Sequence, residues 1–336
     1  MLFSLVGVGC LVVCVILSGS TLLPYAAEAF YAFMAQRERG RIRKEVLHLP
    51  RTQWYTGVWS SMADIRLTNV RRSADATTQL IAATVGPVGL GWHRSSCQQW
   101  RTRCLGLFVF HSALWRTFGA QAFVSEYGFN PNLFSWDPAA WQQVARAAQR
   151  ARERSGSAFT DAYGPARYSR LREKNLHDAT AVYLDVCATL TTIWEARFLI
   201  VRACASQSWK HVVATIRKVL GWNGTGFRAK ELALDLMLTP AFPVVDDFNQ
   251  YCPLGPGARR GLNRLHGRPV TATSSEDVLL QELLTIYALR HQYWDTSRFH
   301  ALSLHDLQFQ LCEIDKWLRY LLAEGWCRPY AARALL

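Results

Sequence analysis

The chain has 336 residues, half of them hydrophobic and 19% charged, with 38 Lys and Arg against 25 Asp and Glu for a formal charge of +13. This composition excludes an intrinsically disordered chain, which needs low hydrophobicity and dense charge. It supplies core enough for one large domain or two ordinary ones. The charge points to an anionic partner (nucleic acid, a phosphorylated ligand or an acidic membrane surface) without choosing among them.

The kind of basic residue says more. Lysine occurs six times, at Lys44, Lys174, Lys210, Lys218, Lys230 and Lys316, so arginine supplies the other 32. Arginine's planar fork grips phosphate at two points, where lysine is a point charge. Codon bias in a GC-rich genome would give the same count. The thirteen tryptophans read as core anchors, with one or two available to stack on a base.

In chain order, Leu2 to Leu17 is an almost unbroken apolar run. At about 1.5 Å per residue it reaches roughly 24 Å, short of a bilayer core, unless Leu22 to Phe33 extends it. Ala27-Glu28-Ala29 has the form of a small-x-small cleavage site, but no basic segment precedes the run. Arg37, Arg39, Arg41, Arg43 and Lys44 follow it and would keep the rest of the chain on the cytoplasmic side of a membrane. Residues 1–34 are therefore an anchor or signal with a membrane contact through residues 2–33, or a buried helix or misplaced start.

Helix signals dominate the remainder. Asp137-Pro138 opens a helix over Ala139–Ser155 that Gly156 closes. Helical periodicity covers Ala179–Ala205, Trp209–Leu220 and Phe227–Leu238. Ser274 with Asp277 forms a capping box ahead of Val278–Tyr293, and Ser303 with Asp306 another ahead of a helix to Glu324, stopped by Gly325. Leu107–Phe110, after Gly106, is the best strand candidate. The fold class is mainly α, one helical domain over residues 35–330. Nine cysteines with no C-x-x-C and no H-E-x-x-H pattern read as buried thiols of a reduced intracellular protein, with no structural metal and no cofactor, although Cys97 and Cys104 could pair.

Four constellations carry chemistry. Arg66, Asn69, Arg72 and Asp75 place arginines, an amide and a carboxylate within ten residues, as a phosphate site or as a solvated helix start. Phe159-Thr160-Asp161-Ala162-Tyr163 is a loop after a flexible stretch. Gly221 to Gly226, with Gly224 and Gly226 between two helices, lets backbone N–H groups approach a phosphate. This resembles the helix-hairpin-helix of DNA glycosylases, whose catalytic Asp falls about where Asp246 and Asp247 stand. Gly255-Pro256-Gly257 reads as a tight exposed turn, followed by Arg259, Arg260 and Arg264. No G-x-x-x-x-G-K-[ST] occurs, which excludes a P-loop kinase as far as motifs allow.

Taken in order, these segments resemble the helical domain of 5-hydroxymethyl-deoxyuridine (5-hmdU) DNA kinases, shared with the α-glutamyl/putrescinyl-thymine pyrophosphorylases. Arg66, Thr68, Asn69, Val70, Arg72 and Asp75 match one family segment. Phe159, Thr160, Ala162 and Tyr163 match a second, and Gly224, Phe227, Ala229, Asp235 and Leu236 a third. Gly255 through Leu262 match a fourth, and Leu304, Asp306, Leu311, Cys312, Glu313 and Lys316 a fifth. Leu67, Ser73 and Gln308 depart from the family pattern.

The resemblance implies a glycosylase-like helical fold acting on thymine-derived bases in DNA. An amine or amino acid would displace pyrophosphate from an activated 5-methylene. Partners would be DNA, the amine donor and a separate 5-hmdU kinase, in a nucleus or DNA-containing organelle. It implies Asp246 or Asp247 as base toward the amine, or as the charge that stabilises a cationic 5-methylene. Arg66, Arg72, Arg259 and Arg260 would hold pyrophosphate, Trp222 or Tyr163 would stack on the extruded base, and Asp75, Thr160, Tyr163, Glu313 and Lys316 would support the site. A DNA-binding module without turnover and a glycosylase of modified bases are the competing readings.

Overall fold

A computed structural model describes residues 24–75, 78–84, 98–159, 179–206, 208–219, 226–237, 242 and 245–324. Residues 1–23, Cys97, Thr160, Tyr163, Trp222, Gly224 and Gly325, all singled out above, lie outside the described residues. The α-helices are α1 (Pro24–Arg41), α2 (Gln98–Phe118), α3 (Gln121–Tyr127), α4 (Pro138–Ser155), α5 (Ala179–Thr189) and α6 (Thr191–Cys204). They continue with α7 (Trp209–Val219), α8 (Phe227–Met237), α9 (Pro256–Leu265), α10 (Glu276–Ala288), α11 (Arg290–Tyr293) and α12 (Leu304–Leu321). Among the described residues there is no β-strand, so the chain is mainly α. It divides into two compact units: unit 1 is Met1–Asp75 with Asn249–Leu336, and unit 2 is Ala76–Phe248.

Unit 1 is organised around α12, which packs against α1, α9 and α10. Its start follows the sequence: Ser303 accepts the Asp306 N–H while Asp306 accepts the Ser303 N–H, a complete capping box. The Leu22 to Phe33 extension of the apolar N-terminus is a core element where it is described. Ala26, Ala29, Phe30, Phe33 and Met34 of α1 are all buried in the unit 1 core. Ala27 and Ala29 of the expected cleavage site therefore sit inside a packed helix, and no described helix is long and apolar enough to cross a membrane. Trp317 stacks on Phe33 and on Trp59, with ring centroids 5.4 and 5.1 Å apart, and donates its indole N–H to Ser61.

Two expectations in unit 1 change. Gly255-Pro256-Gly257 is no exposed turn: Gly255 is buried at the N-cap of α9, and Pro256 takes the first helical position. Its glycines serve packing, because a Cβ on Gly261 would lie 2.2 Å from the Leu311 carbonyl oxygen and one on Gly257 3.0 Å from Cys312 Sγ. The cap of α10 is Ser275, which accepts from Val278 N, and the Ser274 box does not form. The helix expected to reach Tyr293 breaks at Leu289 and restarts as α11.

Unit 2 has an aromatic centre. Leu107–Phe110 is helical, not a strand: all four residues are buried within α2. A helix apolar on every side at its middle shows no polar face, and over four residues it cannot be told from a buried strand. Gly106 marks no chain reversal. It is where α6 comes close, since a Cβ there would lie 2.6 Å from the Phe198 ring. Phe110 packs edge-on to Trp136 (4.5 Å) and Trp194 (5.1 Å). Helix α4 matches its sequence signals, with Asp137 accepting from Ala140 N and Gly156 left-handed at φ 81°. The periodic run over Ala179–Ala205 is two helices, α5 and α6, joined at Leu190. Helices α7 and α8 end within one residue of their expected limits and pack on each other.

Candidate functional site

The first and last family segments meet on α12. Asp306, Gln310 and Glu313 recur at i, i+4 and i+7, so they share one helix face. That face holds the stretch 68–72 by its backbone. Glu313 accepts the Thr68 N–H at 3.1 Å, Gln310 donates to the carbonyls of Asn69 (3.1 Å) and Val70 (2.9 Å), and Asp306 accepts the Arg72 N–H at 2.6 Å. Arg37 of α1 donates to the Gln310 amide oxygen, which fixes which end of that amide donates. Burial pushes the Glu313 carboxyl up, but Lys316 at 2.6 Å, Arg37 and the Thr68 N–H together hold it below its ordinary value. Burial dominates at Asp306 and raises its carboxyl, against the hydrogen bonds of Arg72 and Ser303.

Within this frame, Arg72 is buried. It pairs with Asp75 at 2.8 Å, and its guanidinium lies 5.4 Å from the Phe309 ring centroid. The Asn69 side chain donates to the Ala74 carbonyl at 2.5 Å. Arg66 is exposed. A narrow polar cleft lies beside this stretch, lined by Arg37, Arg41, Lys44, Tyr55, Thr68 and Asn69.

The opposite face of α12 holds α9. Asp315 receives Arg260 at 2.8 Å and Arg264 at 3.0 Å, and Arg264 also reaches Glu324. Three of the arginines expected at phosphate (Arg72, Arg260 and Arg264) are thus ion-paired to carboxylates of their own unit. Arg259 and Arg71 are not. Neither side chain forms a hydrogen bond or ion pair among the described residues, although the charge of Arg71 acts on the Asp306 carboxyl, and each has a buried Nε without an acceptor. Arg71, Gln310 and Asp315 escaped the sequence reading, although the helical spacing of 306, 310 and 313 was a legible signal for Gln310.

The expected acids lie in unit 2. Asp247 caps α7: it accepts the N–H of Trp209 at 2.5 Å, the N–H of Lys210 at 3.3 Å and the Ser208 hydroxyl at 3.0 Å. Burial raises its carboxyl, and these hydrogen bonds outweigh that and lower it, so it is ionised and occupied with the helix start. Asp246 is exposed, and it has no hydrogen bond or ion pair among the described residues. Asp235 of the third family segment is fully buried and paired with Arg116 of α2, and Arg116 also donates to Thr78 at 3.1 Å. Gly226 has φ 78° and its carbonyl accepts the Lys230 N–H as α8 begins.

The fold is thus an all-helical one in which arginines of two chain segments are set along a single helix. A family model described as the 5-hmdU DNA kinase, helical domain, matches residues 25–325, and the chain belongs to that family. No curated protein and no solved structure gives a significant match.

Proposed function

We propose that the chain takes part in hypermodification of 5-hydroxymethyluracil-derived thymine in DNA, with unit 1 holding phosphate through Arg71 and Arg259. The observation that carries this reading is a contrast among the arginines of the 66–75 and 255–264 stretches. Arg72, Arg260 and Arg264 are ion-paired to Asp75, Asp315 and Glu324, while the side chains of Arg71 and Arg259 form no ion pair among the described residues and each leaves a buried Nε without an acceptor there. The chemistry is a transfer. The amine nitrogen forms a bond to the 5-methylene carbon as the bond from that carbon to pyrophosphate oxygen breaks. Pyrophosphate leaves with the electron pair, and the amine's proton passes to solvent. A separate kinase or kinase domain supplies the phosphorylated base. The glycosylase-like fold belongs to the same proposal, with α7, the 221–226 stretch and α8 as its helix-hairpin-helix-type element.

The test is binding and turnover on DNA carrying pyrophosphorylated 5-hydroxymethyluracil. Arg71→Ala with Arg259→Ala should reduce affinity and lower the slope of log K against log salt by about two. An unchanged slope overturns the assignment. Pyrophosphate release with an amine present supports the transfer. The capping role of Asp247 favours the second reading, a DNA-binding module without turnover, and binding with no pyrophosphate release would select it. Release of free base, leaving abasic sites, would select a glycosylase.

A further inference from the structure

Unit 2 contains a cavity that no family segment touches. It measures about 550 Å³, within the range of small-molecule sites. Arg103 of α2 and Arg197 of α6 line it, with Phe134, Trp194 and Phe198. Arg103 lies 4.1 Å from the Phe134 ring centroid and 5.8 Å from Trp100. Arg197 lies 3.8 Å from Trp194 and 4.4 Å from Phe198, and donates one N–H to the Trp194 carbonyl.

Three features of this cavity stand out. Among the described residues neither guanidinium forms an ion pair and no acid lines the cavity, so two cations face one space; burial first, and then the charge of Arg103, lower the Arg197 guanidinium from its ordinary value. Stacking on a ring occupies the face of a guanidinium and leaves in-plane N–H groups for an anion. Phe134, which lines the cavity, is 71% exposed, so its ring is open to another flat ring. A ligand that satisfies both demands has an aromatic ring and an attached anion. An acidic peptide supplies the anion without the ring.

We propose that this cavity binds a nucleotide, its base stacked on the exposed ring of Phe134 and its phosphate held between Arg103 and Arg197. The nucleotide is either free or an unpaired residue of a single strand. The inference uses no residue of unit 1 and stands or falls apart from the reading above.

The test uses the full chain with two probes: dTMP by equilibrium dialysis and fluorescein-labelled oligo(dT) by anisotropy. Competitors are inorganic phosphate, an oligo-glutamate peptide and an oligonucleotide with abasic sites. Phe134→Ala, at an exposed position that folding does not need, should weaken binding about tenfold. Arg103→Gln with Arg197→Gln should weaken it further and flatten its salt dependence. Oligo(dT) binding much tighter than dTMP identifies a strand, and equal binding identifies a free nucleotide. No binding of either probe overturns the proposal. So does binding insensitive to Phe134→Ala, or competition by phosphate, peptide or abasic strand as strong as that of the intact oligonucleotide.

Discussion

Unit 1 and unit 2 bury polar groups in different ways. In unit 1 the side chains of α12 address backbone: Asp306, Gln310 and Glu313 hold Thr68 through Arg72, and Asp315 collects arginines from α9. In unit 2 buried polarity comes as separate pairs within an aromatic core, such as Arg116 with Asp235, or His111 between the Leu107 carbonyl (2.8 Å) and the Asn130 N–H (3.2 Å). A side chain that holds backbone sets register along a whole segment. A side-chain pair fixes one point and leaves register to packing.

The comparison can be broken most sharply at the Arg116–Asp235 pair. Asp235→Ala leaves a guanidinium buried without its carboxylate and should cost about 3–5 kcal/mol, read as a fall in the urea midpoint with an unchanged slope. Acid should be next. Burial depresses His111 from 6.5 to about 4, so the folded state holds it neutral where the unfolded state binds a proton. Its stabilisation is complete above about pH 6.5 and is lost as pH falls toward 4, about 3 kcal/mol in all. Urea titrations at pH 7 and pH 4.5 should show the loss, and His111→Gln should flatten it.

Gly261→Ala forces α9 away from a backbone oxygen and should cost about 1–3 kcal/mol or more. The same change at Gly106 meets only a phenylalanine ring and should cost less. Thermal melts of the two variants rank them. The smallest effect is expected at Asp247→Ala, where loss of a helix cap costs about 1 kcal/mol. A purified variant that melts slightly early yet keeps full turnover would confirm a capping role, and abolished turnover would restore the catalytic one.

Much of the helix content was legible because caps and periodicity are local. Asp137, Gly156 and Ser303 each act within four residues of themselves. What misled were positions whose meaning is tertiary. Gly106, Gly257 and Gly261 signal turns by local rules, but here they let helices approach. Leu107–Phe110 has strand-like composition and sits where α2 is buried all round. The arginines were legible as a group, yet the neutralisation of Arg260 and Arg264 depends on a carboxylate 51 to 55 positions away, at Asp315. Asp247 belonged with Ser208 and Trp209, 38 or 39 positions earlier, and no spacing rule links them.

The two-faced helix α12 also sets a timetable. Gln310 bonds to Asn69 and Val70 across about 240 positions of chain. At ribosomal speeds of about 5–20 residues per second, the 66–75 stretch waits roughly 10–50 s for the helix that seats it. Unit 2, encoded without interruption between them, has all its residues first. During that interval Phe30, Phe33 and Met34 of α1 have no finished core to enter. The newborn chain therefore exposes these apolar side chains until α12 is made, an interval in which a chaperone could protect them.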